Sequence, residues 1–555
     1  MAFSDFLSRA AALTATGLLL VACQIDEAGT SAISTAAEEP AASADILQDH
    51  IAWLSDDARQ GREAGTPGYQ AAAEYVAAEM EELGLEPAGE DGSWYQQVPL
   101  LSVTRDLDAQ AMSITRDGET MALDPMEDFL IGASAKRAEA EVTAEAVFVG
   151  YGLVAPEFGI NDFEGVDVEG KIVVAFGAIP TGLPSEEAAH YSSSKQVIAE
   201  ELGAVGYITL STASYEARRP WDRTIAAAGS PAMTWVEKSG EGFTDTPGLV
   251  VTGRLSVQGA EKLFEGAEMS FAEISAAEEA GENVASFALP GTITMAGAST
   301  YETVTSPNVA GMIRGSDPTL ADEYVILTAH LDHTGVRESD DPEEDVINNG
   351  ALDNATGIAV MLEEARLFKQ AEANGNSPRR SVIFLAVTAE EKGLLGSEYY
   401  AFNPTVPLDD IVANVNLDMP IITYDFIDVI AFGADHSSLG ETVRRAASSM
   451  DVELIPDPVP QMSIFTRSDH YRFVQQGVPS VFLFLGFGNG GEEEFGKFMS
   501  THYHRPSDDI SQPLDYDVGA KFATLNYRIA REIADADERP TWNEGDFFGD
   551  KFGRD

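Results

Sequence analysis

The strongest constraint on the fold is the alternation of apolar strands with helical stretches in the second half of the chain. An apolar strand ending in AHLDH is followed by strand patterns at 381–387, 411–417 and 478–484, and by helical patterns at 357–371, 393–402, 438–450 and 516–535. Strands that alternate with helices of this length predict a mostly parallel sheet with helices on both faces. The sequence therefore predicts an α/β fold.

The acidic composition argues against one large class of partners. The chain has 555 residues, of which 92 are acidic and 34 basic, giving a formal net charge of -58. A surface of this charge repels phosphates, so nucleic acid is not an expected partner. The acidic residues are spread along the chain, which is typical of a strongly hydrated surface suited to salt. An acidic face that attracts cationic substrates is the alternative.

The first residues are typical of an export signal. The apolar run from Ala10 to Ala22 is too short for a stable membrane anchor, and the chain's one cysteine, Cys23, follows it. The sequence LVAC resembles the bacterial lipobox, so residues 1–23 are expected to be a lipoprotein signal peptide with lipid on Cys23. An ordinary secretory signal with a chance cysteine is the alternative.

The expected location follows from this signal. Residues 24–43 are small and polar and predict a flexible tether between the lipid and the first domain. The protein is then expected to be exported and held at the cell envelope by lipid alone. Gln24 after the cysteine resembles the sorting rule for the outer membrane of bacteria with two membranes.

Polar side chains follow the predicted strands at the point where each strand ends. They are His330, Asp332, Asp353, Glu390, Glu391, Asp418 and His504. Because the carboxyl ends of parallel strands meet at one edge of a sheet, we expect these residues to lie close together. His502 is two residues from His504, and the phrase YHRPSDD favours His504. His333 and His470 are expected to have supporting or structural roles.

Two histidines and several carboxylates, without a nearby cysteine, are typical of a zinc site. Two zinc ions about 3.5–4 Å apart and bridged by a carboxylate form a hydrolytic site. The expected ligands are Asp353 as the bridge, His330 and Asp418 on one ion, and Glu391 and His504 on the other. Glu390 is then free to act as the general base. Asp332 is free to accept the ring N–H of His330.

Five motifs carry a resemblance to a known family. AHLDH, NGALDNATG, TAEEKGLLGS, NLDM and HYHRPSDD occur in the order found in the co-catalytic zinc aminopeptidases, a family that also holds glutamate carboxypeptidase. The resemblance implies the same five ligands and the same base, with two zinc ions per chain and peptides as substrates. It adds Tyr503 as a donor to the oxyanion. It implies the zinc exopeptidase, phosphorylase/hydrolase-like fold.

The resemblance also divides the chain into segments. FVGYGLVAPEFGINDFEGVDVEGKIVV resembles the protease-associated (PA) domain, so a β-rich insert is expected at 135–290. The peptidase domain is then expected in two pieces, 44–134 and 291–536, with a surface tail at 537–555. The leading interpretation is an exported metallo-aminopeptidase. A carboxypeptidase or dipeptidase of this family, or an inactive binding protein on the same fold, are the alternatives. The sequence leaves the oligomeric state open.

Overall fold

The computed structural model of the protein describes residues 40–554. The predicted signal peptide, the lipidation site at Cys23 and most of the predicted tether lie outside these residues. Among the helices within residues 40–554, none has the length and apolar content that a membrane span requires.

The first half of the described chain contains seven helices and most of the short strands. The helices are α1 (Ala44–Leu54), α2 (Pro67–Leu83), α3 (Ser185–Glu201), α4 (Ala213–Arg218), α5 (Trp221–Ala226), α6 (Val257–Leu263) and α7 (Phe271–Glu279). The strands are β1 (Glu86–Pro87), β2 (Tyr95–Arg116), β3 (Glu119–Ala122), β4 (Phe129–Ile131), β5 (Glu139–Phe148), β6 (Val154–Ala155), β7 (Ile160–Asn161), β8 (Ile172–Phe176), β9 (Gly206–Leu210), β10 (Ala232–Trp235) and β11 (Val251–Leu255).

The second half contains the alternating strands and helices that the sequence predicts. The strands are β12 (Phe287–Ile313), β13 (Tyr324–His330), β14 (Ser381–Val387), β15 (Ile411–Leu417), β16 (Asp428–Phe432), β17 (Glu453–Ile455) and β18 (Ser480–Leu485). The helices are α8 (Thr356–Ala373), α9 (Leu395–Phe402), α10 (Leu439–Ser448), α11 (His470–Val474), α12 (Gly491–Thr501), α13 (Tyr516–Asp535) and α14 (Phe547–Phe552).

Most strands of the described chain join one mixed sheet. Its main order is β17-β16-β18-β15-β13-β14-β12-β5-β8-β9-β11-β4. In the second half, β13 lies parallel to β14 and β15, and β15 lies parallel to β18. The mostly parallel α/β fold predicted from the sequence is therefore confirmed.

The central strands are apolar because both of their faces are covered. Every residue of β13, β14 and β15 is buried. Helix α8 packs on one face of this part of the sheet, where Ile358, Leu362 and Phe368 belong to the same apolar cluster as Val325 and Phe384. Parallel strands covered on both faces carry continuous apolar sequences. Thr328, Asn414 and Asn416 are buried polar exceptions that hydrogen-bond to one another, and the charged groups lie at the strand ends, where the site forms.

Helix α2 begins and ends as its sequence indicates. The Thr66 side chain accepts a hydrogen bond from the Tyr69 amide, and Pro67 occupies the first turn, where a missing N–H costs nothing. Gly84 ends the helix with a φ of 78°, a left-handed conformation that glycine adopts without strain.

The segment predicted as an insert has apolar clusters of its own, built around the rings of Phe148, Phe176 and Phe287. Its sheet is nevertheless continuous with that of the peptidase part. Strand β12 pairs with β5 near its start and with β14 near its end. Strands β2 and β4, which precede residue 135, pair with β12 and β11. The predicted domain bounds stay a prediction.

The C-terminal residues pack onto both halves of the protein. Phe548 in α14 is fully buried, and its ring lies 5.0 Å from that of Phe465 and 4.9 Å from that of His436. The two ring nitrogens of His436 bind Asp546 at 2.6 Å and Glu186, at the start of α3, at 2.5 Å. The segment expected to be a surface tail therefore fastens α3 to the peptidase part.

Candidate metal centre

The predicted site residues converge at the carboxyl ends of the central strands. His330 is the last residue of β13, Asp418 directly follows β15, and Glu390 and Glu391 follow β14. Asp353 lies in an irregular turn, residues 351–355, that leads into α8 and has non-helical backbone angles at Asp353 and Asn354. His504 lies in the loop between α12 and α13. Residues separated by up to 174 positions in sequence thus share one edge of the sheet.

One set of donors surrounds His330. Its Nε2 lies 3.3 Å from Asp353 Oδ1 and 3.1 Å from Asp418 Oδ1. All three residues are buried, and their donor atoms lie within 4.8 Å of one another. One imidazole and two carboxylates at this spacing can supply three of the four ligands of a tetrahedral metal site.

A second set of donors lies on the other side of Asp353. His504 Nε2 is 3.3 Å from Asp353 Oδ2 and 3.1 Å from Glu391 Oε2. His333 Nδ1 is 2.7 Å from Glu391 Oε1 and 3.9 Å from Asp353 Oδ2. Asp353 therefore contributes one oxygen to each set, as expected of a bridge. The second set therefore contains two imidazoles, those of His333 and His504, whereas the sequence predicts His504 alone.

The donor set fits a zinc centre. Asp353, Glu391 and Asp418 are each less than 12% exposed at the side chain, and clustered buried carboxylates are unfavourable unless cations neutralise them. Histidine and carboxylate ligands without cysteine suit zinc. His504 is the most open member, with 37% of its side chain exposed. The sharing of Asp353 by two sets gives room for two ions.

The electrostatics separate the two adjacent glutamates. Burial, together with the Asp418 and Glu391 carboxylates, raises the pKa of Glu390 well above its usual range. Burial also acts to raise the pKa of Glu391, but hydrogen bonds from His333 and His504 outweigh it and lower that pKa. The pKa values of the two adjacent glutamates are thus shifted in opposite directions, and only Glu391 accepts hydrogen bonds from imidazoles.

The imidazoles are held in a field of negative charge. Burial disfavours the charged form of His330, yet the nearby Asp418 and Glu390 carboxylates raise its pKa well above the usual range. Burial likewise acts to lower the pKa of His504, and its hydrogen bonds to Asp353 and Glu391 raise that pKa to about 10. The carboxylates at this edge outnumber the imidazoles, so the site attracts cations.

The loop that carries Asp353 is fixed from behind by Asp508. The two carboxylate oxygens of Asp508 accept hydrogen bonds from the Leu352 and Asp353 amides, each at 3.0 Å. The buried guanidinium of Arg62 donates to the carbonyl oxygens of Asn349 and Gly350 in the same loop. The sequence alone did not identify either residue, since their contacts depend on tertiary packing. Asp508 belongs to the HYHRPSDD motif, and this membership was the one feature of the sequence that could have indicated its role.

The structure corrects the predicted contact between Asp332 and His330. His330 Nδ1 lies 3.1 Å from the backbone carbonyl oxygen of Asp332 rather than near its carboxylate. The carboxylate is turned toward the loop after β14, where it accepts hydrogen bonds from the Glu390 and Glu391 amides. Asp332 therefore orients the two glutamates directly. Burial raises the pKa of its carboxyl to about 6.

A pocket opens in front of the donor sets. Its volume is about 70 Å³, and Glu390 and Tyr503 line it together with His330, Asp353, Asp418 and His504. Arg467 lies at its wall, and the rest of the wall is mostly apolar, with Met419, Met462, Ile464, Phe482, Phe484, Phe495 and Met499. Ser468 also lines the pocket and donates to Asp418 Oδ2 at 2.7 Å. The pocket thus joins an acidic floor to an apolar wall.

The remaining histidines of the site motifs lie apart from the donors. His502 Nδ1 lies 2.9 Å from the Ser507 carbonyl oxygen, in a surface loop. His470 is fully buried and packs against Phe465 and Phe482. Tyr503 stacks on the ring of His504 with 3.8 Å between the ring centres. The structure thus sets His504, and not His502, beside Asp353 and Glu391.

Residues 308–529 match peptidase family M28. The chain is 24% identical over 264 residues to "Probable zinc metalloprotease" of Pyrenophora tritici-repentis (strain Pt-1C-BFP), which covers 42% of this chain and 58% of that protein. It is 28% identical over 210 residues to "Aminopeptidase YwaD" of Bacillus subtilis (strain 168), in an alignment that covers 37% of this chain and 40% of that protein. The matches span less than two thirds of either relative.

Among solved structures, an aminopeptidase from Aneurinibacillus sp. strain AM-1 aligns with a TM-score of 0.46 and 20% sequence identity, over 89% of this chain and 94% of that chain. The match of residues 308–529 to peptidase family M28 confirms the resemblance that the five motifs carry.

Proposed function

We propose that this chain, whose residues 308–529 belong to peptidase family M28, is a zinc-dependent aminopeptidase. The observation that carries the proposal is the position of Asp353 between two donor sets, with His330 and Asp418 on one side and Glu391 and His504 on the other. A buried carboxylate shared in this way fits a two-metal hydrolytic site.

The five donors would hold two zinc ions, with Asp353 between them. Zinc bound there supplies a Lewis acid for the scissile carbonyl and lowers the pKa of water toward about 7. His333 lies against Glu391 and fits a role in orienting that carboxylate, since its Nδ1 is within hydrogen-bond distance of Oε1.

The chain's own residues supply the proton transfers. Glu390 lines the pocket without belonging to either donor set, so it is proposed to take a proton from the attacking water and return it to the leaving amine. The Tyr503 hydroxyl faces the same pocket and is proposed to donate to the oxygen of the scissile carbonyl as negative charge develops there.

The pocket walls favour cleavage at the amino end of a peptide. A free α-amine is cationic, and the carboxylates of the floor attract it. The apolar wall, which includes Phe482, Phe484 and Met499, suits a large apolar side chain on the first residue. A leucine, phenylalanine or methionine at the amino terminus is therefore the proposed substrate feature.

The test is a panel of fluorogenic substrates assayed with and without chelator. Free leucyl, phenylalanyl and glutamyl amides and their N-acetylated forms separate an aminopeptidase from other peptidases. N-acetylated dipeptides with a free carboxyl end test the carboxypeptidase alternative, and a free dipeptide tests the dipeptidase alternative. We expect the free leucyl amide to be cleaved and the N-acetylated leucyl amide to stay intact. We also expect chelator to abolish the activity. Preference for N-acetylated peptides with a free carboxyl end would instead indicate a carboxypeptidase. No cleavage of any substrate would favour a binding protein.

Metal analysis tests the count of two. We expect two zinc ions per chain after reconstitution, and Asp353→Ala is expected to lower the occupancy of both. Asp340→Ala is a matched control, since Asp340 is an exposed aspartate in the neighbouring loop. One zinc in the wild type, or loss of only one in Asp353→Ala, would contradict a shared carboxylate.

Export and lipid anchoring belong to the same proposal. They rest on the apolar run before Cys23 and on the LVAC sequence. Expression of the full chain in a bacterium with two membranes is expected to give protein in the membrane fraction, and Cys23→Ser is expected to release it. A Cys23→Ser protein that stays as firmly bound as the wild type would contradict the lipid anchor.

A further inference from the structure

A second, larger cavity adjoins the site pocket. It has a volume of about 650 Å³ and lies where α3 and β9 of the first half face the loop that contains Ser463 and Thr466. We call it the arginine cavity because Arg218, Arg219 and Arg467 line it. Arg467 also lines the site pocket, so one side chain borders both spaces.

The arginine cavity is positively charged in a strongly acidic protein. None of its lining residues is acidic, and Lys195 joins the three arginines there. Within residues 40–554, Arg218, Arg219 and Arg467 form no ion pair, although arginines elsewhere, such as Arg379, bind aspartates at 2.7–2.9 Å. The three arginines are exposed to solvent at a cavity whose lining has no carboxylate, so their charges are available to an anion from outside the chain.

Lys195 also lies at the wall of the cavity, where it is 5% exposed. Its Nζ donates hydrogen bonds to the carbonyl oxygens of Phe176 and Ala178. Because the Lys195 donors are used within the chain, the arginines are the cationic groups that an occupant of the cavity would meet.

We propose that the arginine cavity binds a carboxylate of the peptide substrate, on the carboxyl side of the scissile bond. The inference rests on the proposed aminopeptidase function. Arg467 lines both the site pocket and the arginine cavity, so a peptide whose first residue fills the acidic site pocket can extend past Arg467 into the cavity. The carboxylate is either the free carboxyl end of a short peptide or an acidic side chain at the second or third position. Arginine recognises both through paired N–H···O bonds.

The experiment compares peptides that differ in one charge. Leu-Ala-Ala carries a free carboxylate, Leu-Ala-Ala-amide has none, and Leu-Glu-Ala-amide carries it on a side chain. For the zinc-loaded wild type we expect kcat/KM for at least one of the charged peptides to exceed that for Leu-Ala-Ala-amide by about tenfold, which corresponds to about 1.4 kcal/mol. The gain is expected in KM, because a carboxylate remote from the reacting atoms binds equally in ground and transition states.

Substitutions assign the gain to the cavity. The double variant Arg218→Gln/Arg219→Gln, and separately Arg467→Gln, are expected to bring the ratio of charged to neutral peptide toward one. Arg223→Gln is the matched control, since Arg223 is an exposed arginine of α5 that does not line the cavity. A wild-type ratio near one, or variants that lower turnover of charged and neutral peptides equally, would overturn the proposal.

A binding measurement separates this inference from the proposed function. Calorimetric titration of the zinc-loaded Glu390→Gln variant with Leu-Ala-Ala and Leu-Ala-Ala-amide reports affinity without cleavage. Tighter binding of the acid form, lost on Arg218→Gln/Arg219→Gln in the same background, supports the cavity even if the wild type cleaves neither peptide. Equal affinities for the charged and neutral peptides would overturn the inference while leaving aminopeptidase activity as a separate result.

Discussion

Glu390 and Glu391 are adjacent in sequence and stand in different surroundings. Glu391 accepts a hydrogen bond from His333 at 2.7 Å and lies 3.1 Å from His504, whereas Glu390 faces the pocket. Glu390 lines the pocket and Glu391 does not, so one glutamate faces the pocket and the other faces the imidazoles. The opposite directions of their pKa shifts follow from this difference.

This separation predicts different effects of the same substitution. Glu390→Gln keeps the shape of the side chain and removes the base, so the variant is expected to bind both zinc ions while kcat falls by about 10²–10⁴-fold. Glu391→Gln is expected to lower zinc occupancy, because an amide is a poorer ligand than a carboxylate. Zinc content and kcat measured side by side test both expectations.

Each variant serves as the control for the other. If Glu390→Gln loses zinc and Glu391→Gln keeps zinc but loses turnover, the two roles are reversed. Full activity in both variants would mean that this mechanism does not operate.

The donors could be predicted from sequence because each follows an apolar strand or begins a helix, and a parallel sheet brings such positions to one edge. His333 was expected to have only a supporting role, and its ring lies beside Glu391. Its position depends on the path of the loop after β13, where the His333 amide donates to the Arg62 carbonyl oxygen at 3.3 Å. Arg62 and His333 are far apart in the sequence, so their contact leaves no periodic pattern from which it could be predicted.

At the scale of elements, the turn of residues 351–355 before α8 carries Asp353, and neighbouring residues hold this turn in place. Asp508 accepts hydrogen bonds from two of its amides and is fully buried. Asp508→Asn replaces one acceptor oxygen with a donor group, so one amide loses its partner and Asp353 is less well held. We expect zinc affinity to fall by about 10–100-fold, the usual effect of removing a group that orients a ligand.

The neighbouring aspartate provides the control for this prediction. Asp509 accepts a hydrogen bond from the Ser511 amide at 2.6 Å, outside the turn. Asp509→Asn is expected to keep the wild-type zinc affinity. Competition with a chromogenic chelator measures both variants, and equal affinities for the two would show that Asp508 does not act through the turn.

The contact of α14 with α3 predicts a pH dependence of stability. Burial acts to lower the pKa of His436, but its hydrogen bonds to Asp546 and Glu186 outweigh burial and raise it to about 10. A raised pKa in the folded state means that this stabilisation is complete below about pH 6.5 and is lost as pH rises toward 10. The loss is on the order of 5 kcal/mol, since the pKa rises from 6.5 to about 10 and one pKa unit corresponds to about 1.4 kcal/mol.

Denaturant unfolding of the zinc-loaded protein at pH 6 and pH 9.5 tests this. The wild type is expected to lose more unfolding free energy between the two pH values than His436→Gln does. His502→Gln is the control, because His502 lies in a surface loop away from α14. An identical pH dependence for the wild type and His436→Gln would mean that His436 does not carry the effect.

The elements of the second half were largely predictable, and the C-terminal helix was not. Strands 381–387 and 411–417 and helix 516–535 lie where their apolar patterns indicate. Helix α14 has only 6 residues, too few for a periodic pattern, and it is held by contacts of Phe548 with distant rings. Short elements whose burial depends on tertiary contacts cannot be inferred from local sequence.

At the scale of the whole molecule, the dominant property is charge. The excess of 92 acidic over 34 basic residues leaves most carboxylates without a basic partner. Their mutual repulsion opposes the compact state. Surface ion pairs act in the other direction but each contributes little, and there are too few basic residues to balance the repulsion. Screening by salt should therefore stabilise the protein.

We expect the melting temperature of the zinc-loaded protein to rise by several degrees as NaCl increases from about 0.01 M to about 0.15 M. Over this range the screening length falls from about 30 Å to about 8 Å, so repulsion between distant carboxylates is removed while close ion pairs largely remain. Sucrose at equal osmolality is the control for effects unrelated to charge. Scanning calorimetry in both series gives the comparison. A melting temperature that is flat or falls with NaCl would show that carboxylate repulsion is already balanced within the fold.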